Sequence, residues 1–326
     1  MMLFGLIAAR LGSNKAVMMA LSFTMLAGMA FVYNPREVVS RVHDVDWALA
    51  ALAVGGLASV HVLQVELWRV MSLALNGIRL PRRLAVTAYF AGQAFGGTTP
   101  GNLGGDFYRT ISVKTPGVSW REALGPILGQ RIISYGTVFC LAALAGGLSL
   151  ASERGLTVPA FLGGALSVGL FWVGRRRLVQ RLEQAVARFI PTYRHVLARA
   201  MSASRTAISL GIAFHLASVV LMYALLVSIG ETPPLLPTVG LLLVARAVSL
   251  LPITPYGLGL QEGSLVLLLP ALGVGPESAL AVSLLARLGV ILVVCIGLTC
   301  FVLERFSTKP ESQGDAATTM AVPHGR

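Results

Sequence analysis

Phe95-Gly-Gly-Thr-Thr-Pro-Gly-Asn-Leu-Gly-Gly-Asp-Phe-Tyr-Arg109 is too rich in glycine, proline and polar side chains to be an ordinary transmembrane helix, yet apolar segments flank it. A related stretch comes later, Pro252-Ile-Thr-Pro-Tyr-Gly-Leu-Gly-Leu-Gln-Glu262. Thr99-Pro100 and Thr254-Pro255 stand 155 positions apart, each followed by a Leu-Gly pair and a carboxylate. Ala123-Leu124-x-x-x-Leu128-x-x-Arg131 matches Ala279-Leu280-x-x-x-Leu284-x-x-Arg287 at an offset of 156. Two matches at nearly one offset indicate an internal duplication. In a membrane protein, paired Gly/Pro-interrupted segments at corresponding places in two halves point to a transport site.

Composition places the chain in the membrane. Of its 326 residues 55% are hydrophobic and 12% charged, against about 25% charged in a soluble domain, and the mean hydropathy is +0.76. The net charge of +12 does not imply a nucleic-acid partner, because the basic residues cluster between apolar spans as cytoplasmic loops require. Cys140, Cys295 and Cys300 lie inside apolar runs and read as packing residues.

Hydropathy and charge predict an all-α polytopic protein of about six full spans and two re-entrant hairpins. The integral domain covers 1–306, with repeat halves at about 47–150 and 206–303. Spans are expected at about 16–33, 47–67, 122–150, 156–174, 206–229 and 278–303. The apolar part of the first motif, Leu84 to Phe95, is too short for a bilayer core that needs about 20 residues, so 84–110 reads as a hairpin entering from the cytoplasm. Residues 235–272 read as its counterpart, opening from the other side. The residues 34–46 read as an external loop ending in Asp46, an N-cap for the next span. Eight arginines against Glu183 make 175–205 the strongest inside signal, a basic interfacial segment. The tail 307–326 is polar and expected to be disordered. Both termini are expected on the cytoplasmic side of the inner membrane.

Irregular backbone at membrane depth is tolerated only where protein buries it or where it lines a polar cavity. Half-helices ending at such a cavity would turn their positive N-terminal ends toward a bound anion. Gly104, Gly105, Gly257 and Gly259 would let backbone approach it, with Asn102 in the same motif. The charged residues in or beside the spans are Asp106, Arg109, Arg131, Arg246, Glu262 and Arg287, and each is costly enough in a bilayer to be a functional candidate. Arginine suits phosphate because its planar fork donates two parallel hydrogen bonds; the alternative is a set of structural ion pairs. His61, Glu66 and His215 read as packing or interfacial residues. Asp44-Val-Asp46 suggests an enzyme's metal site less strongly than a helix cap. No nucleophile motif, P-loop or zinc constellation is present, so neither an enzyme nor a cofactor is expected.

The Pro-Gly-x-Leu-Gly-Gly-Asp-x-x-Arg run at 100–109, the Pro-x-x-Pro-x-Gly-x-Gly-x-x-Glu run at 252–262 and Arg287 resemble the flippase-like membrane domain of the lysylphosphatidylglycerol synthase/flippase family, over about 15–305. The resemblance implies a lipid translocator, with Asp106, Arg109, Glu262 and Arg287 as site residues. Many family members carry a fused aminoacyltransferase; only about 20 residues follow Arg305 here, so a stand-alone member is expected. The expected cargo is a membrane lipid with an anionic head group, and the candidate partners are a second copy of the chain and a lipid-synthesis enzyme. A membrane-embedded lipid-modifying enzyme of glycosyltransferase type and a small-anion carrier are the alternatives.

Overall fold

The computed structural model describes residues 35–96, 99, 102–114, 116–151, 204–250 and 254–307, with scattered positions between 22 and 33. Most of the expected span at 16–33, the span at 156–174, the basic segment as far as 203 and the tail after 307 lie outside the described residues. Among those described, all regular structure is helical.

Among the described residues these α-helices follow in order: α1 (Pro35–His43), α2 (Trp47–Ser59), α3 (His61–Asn76), α4 (Arg82–Gly96), α5 (Leu103–Val113), α6 (Trp120–Ala151), α7 (Ser204–Ser228), α8 (Leu235–Ser249), α9 (Leu260–Leu268) and α10 (Pro276–Ser307). Short 3-10 turns occupy Pro255–Gly257 and Leu269–Leu272. Among the described residues, four helical runs are long and apolar enough to cross a membrane: Trp47–Asn76, Glu122–Ala145, Arg205–Ser228 and Pro276–Glu304. They coincide with four of the expected spans.

Two boundaries differ from expectation. Residues 35–43 form a helix, with Pro35 first, Glu37 in the first turn and Arg41 and His43 in the last. That charge order complements the helix dipole, so the mixed charges signalled a helix rather than a loop. The second span, expected to end near 67, continues through α3 to Asn76, where Gly77 at φ 70° donates to the Leu73 carbonyl and stops it. Asp46 does cap α2: its carboxylate accepts from the amides of Ala48 and Leu49, each at 3.0 Å.

The packing is reciprocal. The first short helix of each interrupted unit lies on the long helix of the other half, α4 on α10 and α8 on α6. The second short helix lies on its own half's long helix, α5 on α6 and α9 on α10. A side chain at Gly297 of α10 would strike the Phe90 carbonyl of α4, so the cross-half contact is made at backbone distance.

Candidate functional site

Each interrupted unit folds back on itself. In the first, Thr99 turns the chain: its amide donates to the Gly96 carbonyl at 3.1 Å, and its hydroxyl accepts from the Gly104 amide at 2.5 Å. Asn102 sits before α5 at φ 62°. The arms of this hairpin meet backbone to backbone, and a Cβ at Gly105 would strike the Gly92 carbonyl. In the second unit Tyr256 (φ 51°), Gly257 (φ 65°) and Gly259 (φ 81°) carry the chain from α8 to α9. Asn102 and Tyr256 are the two non-glycine residues with positive φ among those described. Such conformations cost about 1–3 kcal/mol and persist where the surroundings over-determine them, often at functional sites. The two breaks touch: the Tyr256 hydroxyl donates to the Gln93 carbonyl at the end of α4.

The duplicated ion pair makes the repeat physical. Asp106 and Glu262 are 156 residues apart, as are Arg131 and Arg287. Arg131 Nε lies 2.6 Å from Asp106 Oδ2, and Arg287 Nε is bonded to Glu262 Oε1. Each pair thus joins the second short helix of its unit to the following long helix.

Beyond that shared pattern the halves part. Glu262 is fully buried; it also accepts from Arg287 Nη2 and from the Gly259 amide, at 2.9 and 2.8 Å. Arg287 gives two further donors to the carbonyls of Tyr256 and Gly257, at 2.9 Å each. The second break is therefore clamped by an arginine with four of its five donors engaged, and the start of α9 is answered by the chain's own carboxylate. In the first half Asp106 is shared. Arg109 Nη1 stands 3.7 Å from its Oδ1, opposite Arg131.

Arg109 is nearly buried, with its guanidinium 4.2 Å from the Trp68 ring centroid and 5.0 Å from that of Tyr89. Its Nη2 donates to Gln130 Oε1 at 2.5 Å, while Nε has no partner. From Gln130 a chain of hydrogen bonds runs through Gln64, at 2.8 Å between side chains, to Ser134 at 3.2 Å and His215 at 3.3 Å. His61 and the Tyr89 hydroxyl are bonded at 3.0 Å.

These groups surround a cavity of about 220 Å³, whose walls include Arg109, Arg131, Arg246, Asn102, Thr254 and Tyr256. Arg246, near the end of α8, has neither an ion pair nor a side-chain hydrogen bond among the described residues; Phe214 lies beneath its guanidinium at 5.3 Å. Buried polar atoms in native proteins are nearly always hydrogen-bonded. Here Asn102 Oδ1, Thr254 Oγ1 and the Nε atoms of Arg109 and Arg246 are not, and all four belong to residues on the cavity wall.

Of the residues expected from sequence, Arg109, Arg131, Arg246, Asn102 and Gly257 line the cavity. Asp106, Glu262 and Arg287 brace it from behind. Gly104 and Gly105 lie against the backbone of α4 rather than on the wall, and Gly259 donates to Glu262. Gln64, Gln130, Tyr89, Thr254 and Tyr256 were not singled out by charge. Glutamines inside apolar spans were the available signal for the first two. Asp44 is exposed beside His43, and Asp46 is engaged in capping.

The chain matches the family described as the lysylphosphatidylglycerol synthase TM region over residues 16–297. It is also similar to a UPF0104 membrane protein of Methanothermobacter thermautotrophicus, with 37% identity over 67 residues, 21% of this chain and 19% of that protein. No solved structure matches it.

Proposed function

We propose, from the premise that this chain belongs to the lysylphosphatidylglycerol synthase transmembrane family, that it moves an anionic lipid between the leaflets of the membrane. The observation that carries the reading is the cavity where the two helix breaks meet, with three arginines on its wall and four unsatisfied polar atoms among its lining residues. A buried polar group without a partner is unfavourable by about 1–3 kcal/mol, which marks these lining residues as held in place for something other than packing, and the three arginines suit an anionic guest. The guanidinium forks of Arg109 and Arg246 would hold the phosphate, with Thr254 donating beside them. Asp106 would hold Arg109 and Arg131 in position. Glu262 and Arg287 would keep the second break rigid without touching the lipid.

On this reading both interrupted units are re-entrant hairpins, the two halves are inverted with respect to each other, and the cavity is presented to each leaflet in turn. The driving force would be an ion gradient, the membrane potential or the lipid gradient itself.

Leaflet accessibility in reconstituted vesicles tests the proposal. Fluorescent phosphatidylglycerol, a zwitterionic control lipid and a polyprenyl phosphate are each followed with the wild type and with Arg246→Gln. Movement of an anionic lipid that the variant loses is the expected result. Equal movement of every lipid by both proteins would reduce the protein to a nonspecific scramblase. Uptake of a soluble anion without lipid movement would replace the lipid carrier by a small-anion carrier.

A further inference from the structure

We propose that Arg246, Gln261 and His61 form a neck through which the anionic head group leaves the described cavity toward the end of the bundle that holds Trp47 and Ser228. The proposal rests on the carrier reading for its lipid and adds a route, with the residues that select along it.

A second cavity of about 60 Å³ adjoins the first, and the two share His61, Arg246, Gln261 and Val290 on their walls. Away from that level they are lined by successive turns of the same helices. α7 gives Phe214 to the first cavity and Ser218 and Met222 to the second. α8 gives Ser249 to the first and Leu242 to the second, and the α2–α3 run gives Gln64 to the first and Leu57 to the second. Each of these last two steps is seven residues, about 10 Å along a helix. On α7 the step runs toward Ser228, on α8 toward Leu235 and on α2–α3 toward Trp47. Those ends lie together: the Asp46 amide, just before α2, donates to the Ser228 carbonyl at 2.8 Å, and the Tyr223 hydroxyl donates to the Pro233 carbonyl ahead of α8 at 2.9 Å. The cavities therefore follow one another along the bundle, with the shared residues between them.

The shared level is where free polar groups gather. The two Nη groups of Arg246, the Gln261 side-chain amide and His61 Nε2 have no partner among the described residues, and none of them is enclosed, so they face the cavities that these residues line. His61 is held by its other nitrogen, 3.0 Å from the Tyr89 hydroxyl, and the Arg246 guanidinium by the Phe214 ring at 5.3 Å. A guanidinium fork beside an amide suits phosphate oxygens. No carboxylate lines either cavity among the described residues. Past this level the wall is mostly hydrocarbon, from Leu57, Met222, Leu242 and Leu265, and Ser218 donates its hydroxyl to the Phe214 carbonyl at 2.7 Å. An anion is thus gripped at the neck and released beyond it, where an apolar wall gives it no hold.

Two measurements on the full chain test this. The first uses detergent micelles, with Cys140, Cys295 and Cys300 replaced by serine and Ser218→Cys placing a thiol in the second cavity. A sulfonate-bearing thiosulfonate reagent should label that thiol about tenfold faster than its trimethylammonium counterpart, the low end of what a charge-lined cleft does to the approach of an ion. Arg246→Gln should abolish the preference and Arg246→Lys should keep it. The second measurement pairs lipid movement in vesicles with dodecyl phosphate binding to the purified protein. Leu242→Trp, which fills the second cavity from a position off the first cavity's wall, should stop movement of the anionic lipid and leave that binding unchanged. An unreactive thiol, or labelling indifferent to reagent charge, overturns the neck, and so does wild-type lipid movement by Leu242→Trp. In each of these cases lipid movement by the wild type leaves the carrier reading standing. Charge-selective labelling that depends on Arg246, with no lipid movement by the wild type, sustains the neck as an anion route and fails the carrier reading. Should Leu242→Trp melt below the wild type, the labelling decides.

Discussion

The two halves repeat one device and use it differently. Asp106–Arg131 and Glu262–Arg287 occupy equivalent places, but the second pair is closed and the first is open. Glu262 and Arg287 are bonded to each other and to the backbone of the second break. Arg131 keeps about a fifth of its side chain exposed, on the cavity wall, and shares its acid with Arg109. The remaining arginines break the symmetry further. The position equivalent to Arg109 is Leu265, and the one equivalent to Arg246 is Phe90; both are buried apolar residues. Each half therefore adds one arginine where the other packs hydrocarbon. The shared pairs brace the fold, and the unshared arginines give the cavity its charge.

Removing the closed pair should have the largest effect. Arg287→Ala leaves Glu262 buried without its cation and frees two carbonyls of the break, and breaking a buried pair is destabilising by about 3–5 kcal/mol. Thermal unfolding of the purified protein should show a loss of that order; wild-type stability would erase the distinction between the halves. Gly105→Ala tests the first hairpin, where the equivalent position in the second is Gln261, a wall residue. A methyl driven against the Gly92 carbonyl should be unfavourable by about 1–3 kcal/mol, also read by thermal unfolding. Asp106→Asn should be milder than Arg287→Ala, by about 1–2 kcal/mol, since Arg131 retains contact with solvent. The same variant should impair lipid movement more than stability; the reverse would make the first pair a brace like the second. Smallest is Asp46→Ala, outside both units, which removes the α2 cap at about 1 kcal/mol and should leave transport intact. Lost transport there would reopen an enzymatic role for Asp44 and Asp46.

The duplication was legible because glycine and proline in apolar sequence have few other uses. The spacing of the charged residues also carried the ion pairs, since each acid stands 25 residues before its arginine. What the sequence concealed has a physical reason. Gln64 and Gln130 are neutral and lie in apolar helices, so a search for buried charge passes over them, although they position Arg109. Tyr256 reads as a turn residue, and its bond to Gln93, 163 positions away, depends on how two hairpins dock. The division of labour between the two arginine pairs was equally hidden, because a carboxylate and an arginine at the same spacing in each half differ here chiefly in what else they touch.

The Tyr256–Gln93 bond reaches beyond the local turn. α4 ends at the first break, and its Gln93 carbonyl takes a hydroxyl from the other half. The repeats are thereby fastened at their two breaks as well as along their long helices. If the halves rock against each other as the carrier reading has it, that bond lies across the movement, and Tyr256→Phe would remove it while leaving the packing of the long helices as it was.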